Sequence, residues 1–129
     1  MPDSAEELKR ICDRIRREGK LTKWASGKLK KAFGDRASRA IRAAQTKKVK
    51  KYVYEPSGRV RWVVVGRERE YVVLREAEYC SCEDFYFLVV SGLVPYCYHI
   101  LAQKLAEALG RYDTISEDDG MYEFLSGRF

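Results

Sequence analysis

The pattern of apolar and polar positions predicts a helical N-terminal region followed by strands. Over residues 4–18, apolar side chains recur at intervals of three and four, the spacing of one face of an α-helix. Ser4 followed by Glu7 is typical of a capping box at a helix start, and Gly19 is typical of a helix end. We therefore predict a first helix over about residues 5–18.

Two further short helices are predicted before the pattern changes. The second helix ends at Gly34, and its apolar positions are Leu21, Trp24, Leu29 and Phe33. Asp35 can cap a third helix, whose apolar stripe consists of Ala37, Ala40, Ile41 and Ala44. Three short helices with a basic last member are typical of a helix-turn-helix, but the pattern is too common to identify a function.

From Val49 onward the period becomes that of β-strands. Three segments rich in β-branched and aromatic residues alternate with turn signals, and they predict an antiparallel meander of strands over residues 50–54, 60–65 and 71–74. An amphipathic helix follows and stops at Gly110, and the remaining residues are acidic and aromatic. The pattern therefore predicts an α+β fold: basic helices, a small antiparallel β-meander, and a C-terminal helix.

Charge adds a strong asymmetry to this picture. The formal net charge is +6, yet residues 1–51 hold 17 Lys and Arg against 6 Asp and Glu. Twelve of these bases and a single acid lie between Lys20 and Lys51. Such a block indicates a nucleic-acid surface, although a solvated helical face is the alternative. The candidate contacts are Lys28, Lys30, Lys31, Arg36, Arg39, Arg42, Lys47, Lys48, Lys50 and Lys51.

Length and targeting signals set the expected compartment. A chain of 129 residues is the size of one domain, and its charged start resembles neither a signal peptide nor a membrane span. We therefore expect a cytoplasmic protein without membrane contact, in which thiols stay reduced. Clustered cysteines in that setting indicate metal binding or catalysis rather than disulfides.

The chain places three of its four cysteines and its only histidine in two couplets. Cys80 and Cys82 form the first, and Cys97 and His99 form the second after a spacer of 14 residues. Four sulfur and imidazole ligands are what tetrahedral zinc requires. Buried unreactive thiols, a Cys80–Cys82 disulfide and an iron–sulfur cluster are the alternatives. Cys12 lies on the apolar stripe of the first helix, so we interpret it as a core residue.

The two couplets and their flanks resemble the SWIM zinc finger, whose signature is CxC–x(n)–CxH. The segments that carry the resemblance are "CSC", "CYH", the hairpin strands "RVRWVVVG" and "REYVVL", the knuckle "CEDF" and the helix "CYHILAQKLAEAL". Glu83 and Tyr98 depart from the pattern, since the family commonly has a proline and often a base there. The resemblance covers about residues 47–110, between a basic helical segment (1–46) and an acidic tail (111–129). It implies a ββα finger holding one structural Zn²⁺ through Cys80, Cys82, Cys97 and His99.

The remaining chemistry predicts a binding protein rather than an enzyme. Four protein ligands leave no metal position for an activated water, and ligation of His99 removes the commonest general base. The sequence also lacks a phosphate-cradling glycine loop and a paired nucleophile and base. We therefore expect nucleic-acid binding, most simply to DNA. Trp24, Trp62 and Tyr52 are candidates for stacking on bases, with core packing as the alternative for the two tryptophans.

A protein partner is the second functional expectation. The apolar run Phe85, Tyr86, Phe87 and Leu88 lies inside the spacer and is either core or a partner surface. Small stand-alone SWIM proteins, some of them archaeal, resemble the Shu-type recombination mediators that pair with RecA-like ATPase paralogues. The resemblance therefore implies a non-catalytic accessory factor in DNA recombination or repair. An adaptor without nucleic-acid contact, an RNA-binding protein and a homodimer are the alternatives.

Overall fold

The computed structural model describes residues 4–122 and confirms the α+β fold. The four helices and the first three strands follow the predicted order; the described residues add two strands that were not predicted and a short π-helical turn at Phe85–Val89. The helices are α1 (Ser4–Glu18), α2 (Lys23–Phe33), α3 (Asp35–Gln45) and α4 (Tyr98–Leu109). The strands are β1 (Val49–Glu55), β2 (Arg59–Val65), β3 (Glu70–Leu74), β4 (Tyr79–Cys80) and β5 (Asp113–Asp118).

Local signals set the ends of the N-terminal helices. The Thr22 hydroxyl accepts a hydrogen bond from the Ala25 backbone N–H (3.2 Å), which caps α2. Gly34 separates α2 from α3 with a φ of +65°, a conformation that residues with a Cβ rarely adopt. The apolar stripes predicted for α1 and α3 are buried, so amphipathic periodicity was sufficient to locate both helices.

The five strands form one mixed sheet in the order β4-β3-β2-β1-β5. The first three strands form the predicted antiparallel meander, and the short β4, which was not predicted, extends it by one antiparallel pairing. In the middle strand of the meander, Trp62 of β2 pairs with Lys51 of β1 on one side and with Val73 of β3 on the other. The meander therefore carries the chain from the helices to Cys80 at the end of β4.

Strand β5 was not predicted. It pairs in parallel with β1, from Lys50 opposite Asp113 to Glu55 opposite Asp118. Just beyond it, the Asp119 carboxylate accepts hydrogen bonds from the Ser57 hydroxyl (2.6 Å) and backbone N–H (3.0 Å), tying the strand end to the β1–β2 turn. The first part of the predicted acidic tail is thus part of the sheet, and residues 123–129 lie outside the described residues.

Helix α4 lies between the sheet and the other helices. It contacts β1, β2, β3 and β4, and it also packs against α1 and α3. Its apolar side chains are buried on all sides, and together with the inner faces of α1, α2 and α3 they form one continuous core. The N-terminal helices therefore pack directly on the predicted finger. No helix in the described part of the chain is both long and apolar enough to cross a bilayer.

The buried position of α4 between the two layers can be tested directly by substitution. Leu105 is fully buried, whereas Leu93 is 73% exposed. Leu105→Ala should lower the free energy of unfolding by about 2–5 kcal/mol, because it leaves a cavity between the layers. Leu93→Ala, the same change at the surface, should stay within about 0.5 kcal/mol of wild type. Urea denaturation at constant zinc measures both, and equal losses would contradict the central position of α4.

Candidate metal centre

The two couplets meet at one point of the fold. The ligand atoms of Cys80, Cys82, Cys97 and His99 all lie within 4.8 Å of one another, and all four residues are buried. The first two belong to the end of β4 and the residues after it, and the other two to the start of α4. The centre therefore joins the edge of the sheet to the central helix.

The first couplet forms a hydrogen-bonded knuckle. Cys80 pairs with Val73 of β3, and Ser81 exchanges two hydrogen bonds with the Val72 backbone, each 3.0 Å long. The Phe85 backbone N–H then donates to the Cys82 sulfur (3.3 Å). An N–H directed at sulfur stabilises the thiolate form, which is the form that binds a metal. The chain after β4 is thus shaped to present both sulfurs to one centre.

The second couplet is set by the start of α4. Cys97 is the residue that precedes the helix, with extended backbone angles (φ −79°, ψ 165°), and its carbonyl accepts a bond from the Leu101 N–H. The hydrogen bond with Cys80 and the backbone N–H of Ile100 at the helix start lower the pKa of Cys97. The hydrogen bond with Cys82 and burial outweigh them and raise the pKa overall. His99 follows one residue later, inside the first turn.

His99 provides the clearest sign that the centre accepts a metal. Its ring lies between Tyr71 and Tyr98, with centroid separations of 4.1 and 3.9 Å. Neither ring nitrogen has a hydrogen-bond partner in the described part of the chain, although both are buried. A buried polar atom without a partner costs about 1–3 kcal/mol, and a metal bond at one nitrogen removes part of that cost. The His99 ring is therefore fixed in place with a free nitrogen, as expected for a histidine that ligates a metal.

The protonation states of the thiols agree with this interpretation. Hydrogen bonds from Cys80 and Cys97 hold the pKa of Cys82 far below the ordinary thiol value. The hydrogen bonds of Cys80 to Cys82 and Cys97 raise the pKa of Cys80. The pKa of Cys97 is also raised, by its hydrogen bond with Cys82 and by burial, so the three thiols are not all ionised without a bound cation. Zn²⁺ would be held by the three sulfurs and His99, and it would supply the charge that keeps all three thiols deprotonated.

Three buried sulfurs and one buried imidazole, brought together by a strand end and a helix start, define a zinc-finger site of the Cys3His class. Comparison with known proteins makes the class specific. The chain is 40% identical over 78 residues to the zinc finger SWIM domain-containing protein 7 homolog of Dictyostelium discoideum, a match covering 58% of this chain and 49% of that protein. Together with the cluster, this shows that the chain contains a zinc-binding module of the SWIM type.

A second relative is archaeal. An uncharacterized protein of Archaeoglobus fulgidus is 39% identical over 84 residues, which cover 65% of each chain. The chain thus spans about half the length of the first relative and just under two thirds of the second. No protein-family model matches the chain, and no solved structure matches it significantly.

Cys12 lies apart from the centre, as the sequence predicted. It is buried in α1 within the common core, and burial raises the pKa of its thiol to about 11. A thiol with so high a pKa is almost entirely protonated at neutral pH, so it is neither a good nucleophile nor a ready metal ligand. Its position explains why one cysteine stands outside the couplets.

The predicted nucleic-acid residues fall into two groups. Arg36 is partly buried and its guanidinium lies 3.7 Å from the Asp84 carboxylate, while Lys50 and Lys51 lie in β1 beside the acidic β5. The other seven are exposed and form no ion pair in the part of the chain that the structure describes. These seven, which we call the basic surface, are Lys28, Lys30, Lys31, Arg39, Arg42, Lys47 and Lys48.

The candidate stacking residues are mostly engaged within the fold. Trp62 is only 3% exposed and packs edge-on against Tyr112 at 4.9 Å, which supports the core alternative for this residue. Trp24 is partly buried, with the Arg14 guanidinium 4.0 Å from its ring centre. Tyr52 is also partly buried and stacks on Tyr54. The lysine and arginine side chains of the basic surface are thus more accessible than these three aromatic side chains.

The predicted partner residues divide in the same way. Phe85 packs edge-on against Tyr79 and borders the core, and Leu88 is partly buried. Tyr86 and Phe87 are instead 70% and 63% exposed. Sequence reasoning missed the exposure of Val90 and Leu93, which share this surface segment. It missed them because a continuous apolar run carries no periodicity to separate inward from outward positions.

The metal assignment predicts different results for two buried cysteines. Cys80→Ser should abolish zinc retention and destabilise the fold, because it removes one of the four ligands. Cys12→Ser, the matched control, should cost stability through its buried hydroxyl yet retain zinc. Metal content after dialysis and thermal unfolding measure the two effects. A Cys80→Ser protein that keeps its metal and its unfolding midpoint would contradict the site.

Proposed function

We propose that this protein binds nucleic acid, most simply DNA, through the basic surface, as a non-catalytic accessory factor in DNA recombination or repair. The observation that carries the proposal is that seven exposed bases on and after α2 and α3 lack an acidic partner in the described structure. Uncompensated positive charge on one region of a small domain attracts phosphate backbones.

Helix α1 supports the proposal by contrast. It is also rich in bases, but Lys9 and Arg16 both pair with Asp13, and Arg14 pairs with Glu18. Pairs at these spacings are typical of a solvated helix face and contribute a few tenths of a kcal/mol each. The seven residues of the basic surface form no such pair within the described residues, which favours an external anion as their partner.

The zinc centre has a structural role in this proposal, with one Zn²⁺ per chain. The metal fixes the start of α4, and α3 packs on α4, so the centre holds the helix that carries Arg39 and Arg42. Four protein ligands complete a tetrahedral site, so no coordination position of the metal remains for a reacting water. Placement in recombination or repair is supported by the resemblance to small stand-alone SWIM proteins.

Salt dependence tests the proposal. The wild-type protein should bind fluorescein-labelled DNA in low salt. If it neutralises four phosphates, its affinity should fall by roughly 100-fold between about 50 and 200 mM salt. Fluorescence anisotropy measures this, with single-stranded DNA, duplex DNA and RNA of the same sequence as parallel probes. Tighter binding of RNA would favour the RNA-binding alternative, and no binding to any probe would refute the proposal.

A partner-binding role is the second candidate, and it rests on an exposed apolar patch. Tyr86, Phe87, Val90 and Leu93 are between 63% and 73% exposed, and we call these four residues the apolar patch. They lie in the spacer, whose two ends are fixed at the metal centre. Exposed apolar groups held on an anchored segment favour a protein partner, either a RecA-like ATPase paralogue or a second copy of this chain.

A double substitution tests the patch. Phe87→Ser with Leu93→Ser should abolish retention of the organism's RecA-like ATPases in co-expression, because it removes apolar area from the proposed interface. The control is Val60→Ser, which changes a residue that is 42% exposed in β2, outside the patch. Sedimentation of the purified protein detects self-association in the same variants. If the double variant and Val60→Ser affect ATPase retention and oligomeric state equally, the apolar patch is not the interface.

A further inference from the structure

A groove lies between α3 and the turn that connects β2 to β3. Its volume is about 630 Å³. Four bases and no acid line it: Arg39, Arg42, Lys48 and Arg67. Three of them belong to the basic surface, but Arg67 lies outside the basic block of the sequence. The fold thus brings Arg67 of the β2–β3 turn close to the three basic residues on and just after α3.

The four charges have no ion-pair partner within the described residues. All four side chains are exposed, so each keeps its hydration, but like charges gathered around one concavity repel one another. An anion in the groove converts that repulsion into attraction to all four. Glu68, Glu83 and Asp84 line a neighbouring hollow that shares Arg39 and Arg67, but none of them lines the groove, so the groove itself fits an anionic ligand.

The groove is built on fixed backbone. Arg39 and Arg42 stand three residues apart on α3 and so share one face of the helix. The Val65 N–H donates to the Lys48 carbonyl (2.8 Å), which joins the two sides. Gly66 closes the turn by donating to the Arg69 carbonyl (2.9 Å), and a Cβ on Gly66 would lie 2.7 Å from the Tyr71 ring. Arg67 is thus presented by a turn that requires glycine.

One wall of the groove is continuous with the metal centre. The Arg39 guanidinium lies 4.3 Å from the centre of the Tyr98 ring, and that ring packs against His99 at 3.9 Å. Zinc ligation of His99 would fix Tyr98 and, through it, Arg39.

The groove continues in a second hollow on the other side of Arg42. This hollow has a volume of about 280 Å³, shares Ser38 and Arg42 with the first, adds Lys30, and also has no acidic lining. Two adjoining hollows with positive linings fit an extended anion with several charges better than a single phosphate. Chains of phosphodiesters have that form, and arginine is well suited to phosphate recognition.

We propose that this groove binds the phosphodiester backbone of a nucleic-acid strand, with Arg42 and Arg67 contacting it from opposite sides. The proposal deepens the function proposed above and rests on it. It assigns the contact to one part of the basic surface, and it adds Arg67, which the charge pattern of the sequence did not indicate. Contacts of this kind position a strand and do not read its sequence.

The experiment compares Arg67→Ala with Lys23→Ala, which removes one exposed positive charge from α2 outside both hollows and outside the basic surface. Anisotropy titrations use the labelled single-stranded DNA, duplex DNA and RNA probes. Arg67→Ala should weaken binding by about 10-fold and reduce the slope of log affinity against log salt by about 1. Lys23→Ala should weaken binding by no more than about 2-fold. Arg42→Ala with Arg67→Ala should reduce the slope by about 2.

Each outcome has a distinct meaning. Equal losses in Arg67→Ala and Lys23→Ala, with wild-type binding intact, would overturn the groove and leave the proposed function standing. No wild-type binding to any probe would overturn the proposed function itself. Zinc content and unfolding midpoints equal to wild type show that a variant is folded. The probe whose affinity depends most on Arg67 identifies the backbone that the groove accepts.

Discussion

The burial of α4 between two layers is the constraint on which the rest of the structure depends. Eight of its twelve residues are buried, while Lys104 and Glu107 stay partly exposed, so the helix cannot lie on a surface and requires cover from two layers. The sheet provides one and the N-terminal helices provide the other. The basic segment and the finger therefore share one core, and the charges of α3 are held in a fixed place relative to Cys97 and His99.

The metal centre supplies what the strands alone do not. Strand β4 is only two residues long, and a pairing that short contributes few ladder hydrogen bonds to hold Cys80 beside α4. Metal ligation fixes both the strand end and the helix start, and so it closes the spacer into a loop with anchored ends. Anchoring lowers the entropy that the spacer would lose on meeting a partner. This makes an exposed apolar segment better suited to recognition.

The fold and the centre differ in how far the sequence predicts them. The helices were predictable because their periodicity is strong, and the couplets because thiol and imidazole ligands in that spacing have few other uses. Strand β5 was not predictable, because its acidic residues have low strand propensity and only Ile115 among its six residues is strongly apolar. Arg67 was missed because its neighbours Glu68 and Glu70 cancel the local charge. Its contribution depends on the tertiary approach of the turn to α3.

The parallel pairing of β5 with β1 has a consequence for where this module ends. All four couplet residues and α4 precede Gly110, so a boundary drawn from the motif would omit β5. Without β5, β1 would be an edge strand, and the N–H and C=O groups of Lys50 to Glu55 that face β5 would lose their partners. Such an edge templates pairing between chains. Strand β5 takes the edge position itself, where its acidic side chains disfavour such pairing, so the folded unit is longer than the unit that binds the metal.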